Sequence, residues 1–299
     1  MSDTDFTAAD PNENFVLRGS VGVTSITANE QVFRAPRGDD LLSLLVWQST
    51  APIASLDAKL RFPGEWTLRG HIDAAISGDS VVTDYDWTSF SPSLSMNDWD
   101  QRSISPNTNL DWYLNGSIAV GRDLPVSDAL TVNVNGGFKY TDVKWTANGG
   151  SFIYSDNING FRGTIGNFGD ERIGDYRMQL PTVFAGIDTT VKDGPWSLDV
   201  NGKAGIAFNA TDTDHHFLRN IVFVDHLDYS QFLSADANLG YDFSDHLGVF
   251  LAASYEKLKS GHGDTDVYDH DLGTTTHEPG AAGATLDVMS IKAGLKGNF

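Results

Sequence analysis

Two short stretches hold residue types able to do chemistry together. They are "TDYDW", with Asp84 and Asp86, and "TDTDHH", with Asp212, Asp214, His215 and His216. Successive side chains of an extended chain point to opposite faces. Asp84 and Asp86 therefore share one face, and Asp212, Asp214 and His216 share another that excludes His215. A carboxylate orients and charges an imidazole, the imidazole takes a proton from water, and further carboxylates hold that water. Facing one another across a cleft, the two stretches would have what peptide hydrolysis needs. A solvated acidic rim gives the same D-x-D spacing in a chain with 40 Asp and Glu, so the placement of the stretches has to decide. A metal hydrolase using Asp212, Asp214, His215 and His216 is a third reading. Adjacent histidines on extended chain face opposite ways, however, and no metal site is expected.

The positioning elements are strands. In "LSADANLGYDF" the odd positions Leu233 to Phe243 are apolar and the even ones are polar, and "WSLDVNGKAGIAF", "LTVNVNGGFKY", "LDWYLNGSIAV" and "WTLRGHIDAAI" alternate likewise. Many of these stretches exceed the roughly 9 to 11 residues that a tilted strand needs to cross a bilayer. Short connections at 62–65, 122–129, 192–195 and 244–247 alternate with long ones at 84–105, 148–175, 210–222 and 262–281, the pattern of an outer-membrane barrel. Ten strands are predicted, over 13–33, 41–62, 65–83, 105–121, 128–147, 176–192, 196–210, 222–243, 246–261 and 282–299. Pro52 predicts a bulge in the second. The fold class is an all-β, antiparallel transmembrane β-barrel, one domain over 1–299, with 1–12 a flexible N-terminal segment. Trp66, Trp112 and Trp196 fall where an interfacial aromatic girdle needs them.

Composition agrees. Thirty Gly, seventeen Phe, nine Tyr and seven Trp against four Met favour β structure. The absence of Cys excludes a disulfide framework and a thiolate nucleophile. A net charge of −20 makes nucleic acid an unlikely partner and cationic molecules the natural ones. No run of about 20 apolar residues offers a membrane-spanning helix. The opening "MSDTDFTAAD" lacks the charged start and apolar centre of a secretory signal, so an exported form would be the mature chain with Met1 added.

With a periplasmic N-terminus, strands 65–83 and 196–210 both run outward, and both acidic stretches reach the extracellular rim. Parity raises a difficulty, because even positions on these strands face lipid and Asp84, Asp86, Asp214 and His216 are even. Either a bulge at Gly78 or in "FNAT" resets the parity, or the strands rise above the bilayer. His71 reads as a lumen residue, and His226, His246, His262, His270 and His277 as solvated rim or loop residues.

The segments "DYDW", "GGSFIYSDNINGFRGTIGNFGDERIG" (149–174), "DTDHH", "VYDHD" (267–271) and "AGLKGNF" resemble the omptins, outer-membrane endopeptidases, and the resemblance spans essentially the whole chain. It implies a narrow ten-stranded barrel extending above the outer membrane, with an active-site groove at its extracellular mouth. It also implies an aspartyl-type hydrolase in which Asp84 and Asp86 hold the water and Asp214 and His216 form the dyad. Glu30 and Asp212 then match the pocket for an Arg or Lys side chain of a peptide or protein substrate, and Asp98 or Asp100 matches an acid on the other side of the scissile bond. The family's lipopolysaccharide-binding positions read Phe138, Tyr140, Asp142, Arg177 and Asp228 here, and only Arg177 keeps the expected character. Asp142 and Asp228 should repel anionic lipid. This departure argues against dependence on lipopolysaccharide, and no cofactor is expected; outer-membrane lipid remains a partner. The alternative reading is a non-catalytic barrel on the same scaffold, acting as adhesin or receptor for cationic peptides.

Overall fold

The computed structural model describes residues 14–34, 40–259 and 262–299, so the segment 1–12 lies outside the described residues. The strands are β1 Phe15–Phe33, β2 Leu41–Phe62, β3 Trp66–Ala75, β4 Asp79–Asp86, β5 Gln101–Ser127, β6 Leu130–Asn148, β7 Ser151–Asp156 and β8 Gly160–Asn167. They continue as β9 Arg172–Asp193, β10 Trp196–Ala207, β11 Ala210–His216, β12 Ile221–Leu227, β13 Ser230–Asp242, β14 Leu247–Lys259, β15 Gly263–Asp269 and β16 Thr274–Asn298. A single 3-10 turn, Phe217–Arg219, follows β11. No described helix is long and apolar enough to cross a membrane.

Every pairing is antiparallel, and the sheet closes on itself at two levels. The lower circuit runs β1-β2-β3-β5-β6-β9-β10-β13-β14-β16 and back to β1. The upper circuit replaces β3 by β4, β10 by β11, β13 by β12 and β14 by β15. Closure of the lower circuit leaves its ten strands no open edge, which a strand in hydrocarbon requires.

The sixteen strands differ from the ten continuous ones expected. Three of the expected strands are interrupted, at 76–78, 208–209 and 228–229, and the long connections are largely strand themselves, including the β7–β8 hairpin within 148–175. Side-chain parity flips across the breaks. On β3 and β10 the odd positions Thr67, Asp73 and Ser197 are buried; beyond the breaks the even positions Val82, Ala210, Asp212 and Asp214 are. Ser77 (φ 64) and Asn209 (φ 47) supply the left-handed kinks. Gly78 has to be glycine for space, since a Cβ would sit 2.6 Å from the Thr50 carbonyl oxygen.

Pro52 makes no bulge. It lies opposite Val23 in a stretch of the β1–β2 ladder whose only register shift is far away, between Val32 and Phe33. On the other edge of β2, pairing passes from β4 at Thr50 to β3 at Ala54, and a residue without an N–H is tolerated in that gap.

The outer wall of the lower barrel is apolar, with Val21, Ile72, Ile118, Ile187, Leu233, Leu251 and Ile291 all more than half exposed. Such a band belongs in hydrocarbon, where a charged replacement costs about 2–4 kcal/mol at mid-depth. Trp66 and Trp196, each 51 % exposed, mark its short-turn end, with Trp196 edge-on to Tyr241. Inside, the lower lumen is polar and holds a cavity of about 280 Å³ lined by Arg18, Lys59, Arg69, Asp188 and Lys292 among others. Above it Ile26, Trp47, Val143, Trp145, Met178, Leu180 and Leu286 form an apolar layer. Tyr176 stacks between Trp47 at 5.6 Å and Trp145 at 6.2 Å. This layer floors the mouth.

Candidate active site

Register brings the two acidic stretches to one level. Glu30 on β1 pairs with Leu45 on β2, and Leu45 pairs with Asp84 on β4, so Glu30 and Asp84 stand two strands apart. On the other side Asp214 of β11 lies between Tyr176 of β9 and Phe223 of β12. Because β4 and β11 both follow a parity flip, their even residues face inward, and this resolves the difficulty raised by the alternation. Glu30, Asp212 and Asp214 are each 2 % exposed.

His216 Nε2 lies 2.5 Å from Asp214 Oδ2. Its Nδ1 receives a hydrogen bond from an Arg219 guanidinium nitrogen. Arg only donates and a carboxylate only accepts, so the neutral ring carries its proton on Nε2 and its lone pair on Nδ1. Phe223 packs edge-on against the imidazole at 5.1 Å and fixes its plane. His215 leaves on the opposite face, where its Nδ1 is 2.7 Å from Asp175 Oδ1.

Ser43 Oγ donates to Asp84 Oδ1 at 3.3 Å. Burial, together with the charges of Asp86 and Asp214, pushes the Asp84 carboxyl well above the usual range. Asp86 is also raised, by burial and the charge of Asp100, against the opposing influence of Ser43, Arg219 and His216. Asp84 feels the charge of Asp214 and Asp86 that of His216, so the pair lies within electrostatic reach of the dyad at the mouth. Asp212 is raised by burial and then by Asp225; Glu30 is raised by burial and then by Asp214, Asp212 and Asp225.

Asp100 is fully buried, but its carboxylate accepts hydrogen bonds from Thr88 N at 2.9 Å, Thr88 Oγ1 at 2.6 Å and Phe90 N at 2.9 Å. It closes the loop after β4, and its charge reaches Asp86. Asp98 accepts a hydrogen bond from Ser93 in the same loop.

Arg177 stands on the outer wall, away from the mouth. It holds Asp142 through two hydrogen bonds, of 3.0 and 2.5 Å, and lies 5.5 Å over the Trp112 ring. Asp142 is thus neutralised by its neighbour instead of standing as a free anion.

Sequence reasoning missed three residues of the mouth. Arg219 lies in an aperiodic turn. Tyr154 on β7 feels Asp84 and Asp86, whose charges, after burial, push its hydroxyl up. Asp225 on β12 pairs directly with Asp212 across the ladder. In "IVFVDHL" it was the one acid at an apolar position, a visible sign of a parity break.

A family model described as the Omptin family matches residues 11–299. The plasminogen activator of Yersinia pestis is 26 % identical over 294 residues, covering 96 % of this chain and 90 % of that protein. The outer membrane protease OmpP of Escherichia coli is 24 % identical over 290 residues, covering 94 % and 89 %. The crystal structure of the outer membrane protease OmpT of Escherichia coli superposes with a TM-score of 0.89 at 21 % identity, covering 99 % of each chain, and so shares the fold. Matched along nearly its whole length, the chain belongs to the omptin family and is an omptin-like outer-membrane protease.

Proposed function

We propose that the protein is an aspartyl-type endopeptidase that hydrolyses peptide bonds next to Arg or Lys, with its cleft facing the extracellular side. The observation that carries this reading is the hydrogen-bonded Asp214–His216 dyad facing the Asp84–Asp86 pair. Water held by Asp84 and Asp86 replaces the Arg219 contact at His216 Nδ1 and gives its proton to that nitrogen as its oxygen attacks the scissile carbonyl carbon. Asp214 stabilises the imidazolium that forms. The C–N bond then breaks, and the proton passes from Nδ1 to the leaving amine.

Glu30 and Asp212 receive the basic side chain by charge complementarity. Asp100 positions the wall of the cleft instead of meeting the substrate, since its oxygens already serve Thr88 and Phe90. The pairing of Arg177 with Asp142 supports activity without added lipopolysaccharide. On this reading, detergent-refolded protein cleaves an Arg-containing peptide, and Asp84→Ala or His216→Ala abolishes cleavage while the β-sheet circular dichroism persists. Full activity in either variant overturns it. Binding of the peptide with no product at all favours the receptor reading.

A further inference from the structure

Asp225 has no part in the mechanism above, yet it is 2 % exposed and faces Asp212 across the β11–β12 ladder. Its Oδ1 has no hydrogen-bond donor, nor have Asp212 Oδ2 and Glu30 Oε2. Three buried carboxylates on β1, β11 and β12 thus each keep an oxygen without a donor; Asp212 and Asp225 interact directly, and Glu30 feels the charge of both. Among the described residues no lysine or arginine forms an ion pair with any of them. In the lower lumen the most buried acids do have such partners, as Asp73 has Lys292 and Asp123 has Lys59 and Arg61. A buried carboxylate needs a proton or a cation, and three together need a cation able to serve several acceptors.

The donor set fits one cation better than the other. An ammonium is compact, strongly hydrated and has three donors. A guanidinium is weakly hydrated, has five N–H donors in a planar fork, and stacks on aromatic faces. Three acceptor oxygens, on Glu30, Asp212 and Asp225, stand without a donor, and a planar fork of five N–H donors spreads over them where a compact ammonium does not. We propose that Asp225 is the third carboxylate of the basic pocket and that, with Glu30 and Asp212, it selects a guanidinium over an ammonium side chain. The assignment deepens the endopeptidase reading, but cation binding by the pocket stands apart from catalysis.

The test is calorimetric titration of the refolded full-length chain with N-acetyl-argininamide and, separately, N-acetyl-lysinamide. It is repeated on Asp225→Asn, which keeps the side-chain volume and removes a buried charge, and on Asp225→Ser. The wild-type protein is expected to bind the arginine probe about five-fold or more tighter than the lysine probe. Both variants are expected to lose about ten-fold or more in affinity for the arginine probe, the usual consequence of losing a charge-assisted hydrogen bond, and to bring the two affinities together. Equal wild-type affinities, or variants that keep both affinity and preference, overturn the assignment. Wild-type protein that binds as expected yet cleaves no basic peptide overturns the endopeptidase reading and leaves the pocket standing. Protein that cleaves, with Asp225→Asn unchanged in KM and in Arg/Lys preference, overturns the pocket alone.

Discussion

In the lower lumen His71 is held between Asp57 at 2.6 Å and Asp73 at 2.9 Å, and Asp73 also takes Lys292 at 3.0 Å. At the mouth His216 meets a single carboxylate, Asp214, while Glu30, Asp212 and Asp225 have no basic partner among the described residues. Both regions are polar, interior and rich in aspartate, and both contain a His–Asp contact two residues apart. The lower one pairs most of its acids: Asp123 with Lys59 and Arg61, Asp188 with Arg69, and Asp199 with Arg18. A buried charge with its counter-charge in place is structure, whereas one left without it is a place for a ligand or a proton. The Trp47–Tyr176–Trp145 layer keeps the two apart, so the unpaired acids of the mouth do not borrow the cations of the lumen.

The largest expected contrast lies between the two dyads. Asp214→Asn should lower kcat about 10³-fold or more by leaving the imidazole unoriented. His71→Gln should leave kcat/KM within about two-fold; a comparable loss there would erase the distinction between the regions. Next comes the stability of the lumen. Lys292→Met strips the lysine from Asp73 and should lower the unfolding free energy by about 3 kcal/mol, measured in urea, with kcat/KM of the refolded protein unchanged.

The mouth should respond to pH with a definite sign. Burial raises the Asp225 carboxyl to about 6, above its unfolded value. Its contribution to stability is therefore fully present below the ordinary carboxylate range and is lost as pH rises through about 6. Asp212 and Asp214 on β11, Glu30 on β1, Thr265 on β15 and His226 on its own strand surround it. The thermal midpoint should fall between pH 5 and pH 7, and Asp225→Asn should flatten that fall. An unchanged slope would mean that Asp225 does not titrate there. The smallest effect belongs to the outer wall, where Arg177→Ala should change stability by about 0–1 kcal/mol, because the Arg177 side chain is 39 % exposed and Asp142 keeps its hydrogen bond from Trp112.

The barrel was legible because lipid and lumen impose opposite demands on alternate residues, and "LSADANLGYDF" or "WSLDVNGKAGIAF" can satisfy both only as strands. That Asp84 shares a strand face with Asp86, and Asp214 with His216, was legible from spacing, but the direction of those faces was not. The kinks at Ser77 and Asn209 that turn these residues inward depend on local geometry that alternation does not encode. Asp225 was lost for the same reason. Read as one strand, 222–243 puts it on the lipid face with Leu233 and Leu239, and only the break at 228–229 turns it into the pocket. Asp100 shows the opposite limit. The family resemblance matches it to an acid beside the scissile bond, and alternation gives no sign of Thr88 and Phe90, which the loop brings back to its carboxylate.

The most direct test of the account is mass spectrometry of the products from a diverse peptide library incubated with the refolded chain and, in parallel, with His216→Ala. The account predicts that nearly all new termini flank Arg or Lys with the wild-type chain and that none arise with the variant. Products spread without regard to basic residues, or products that persist undiminished in His216→Ala, would contradict it.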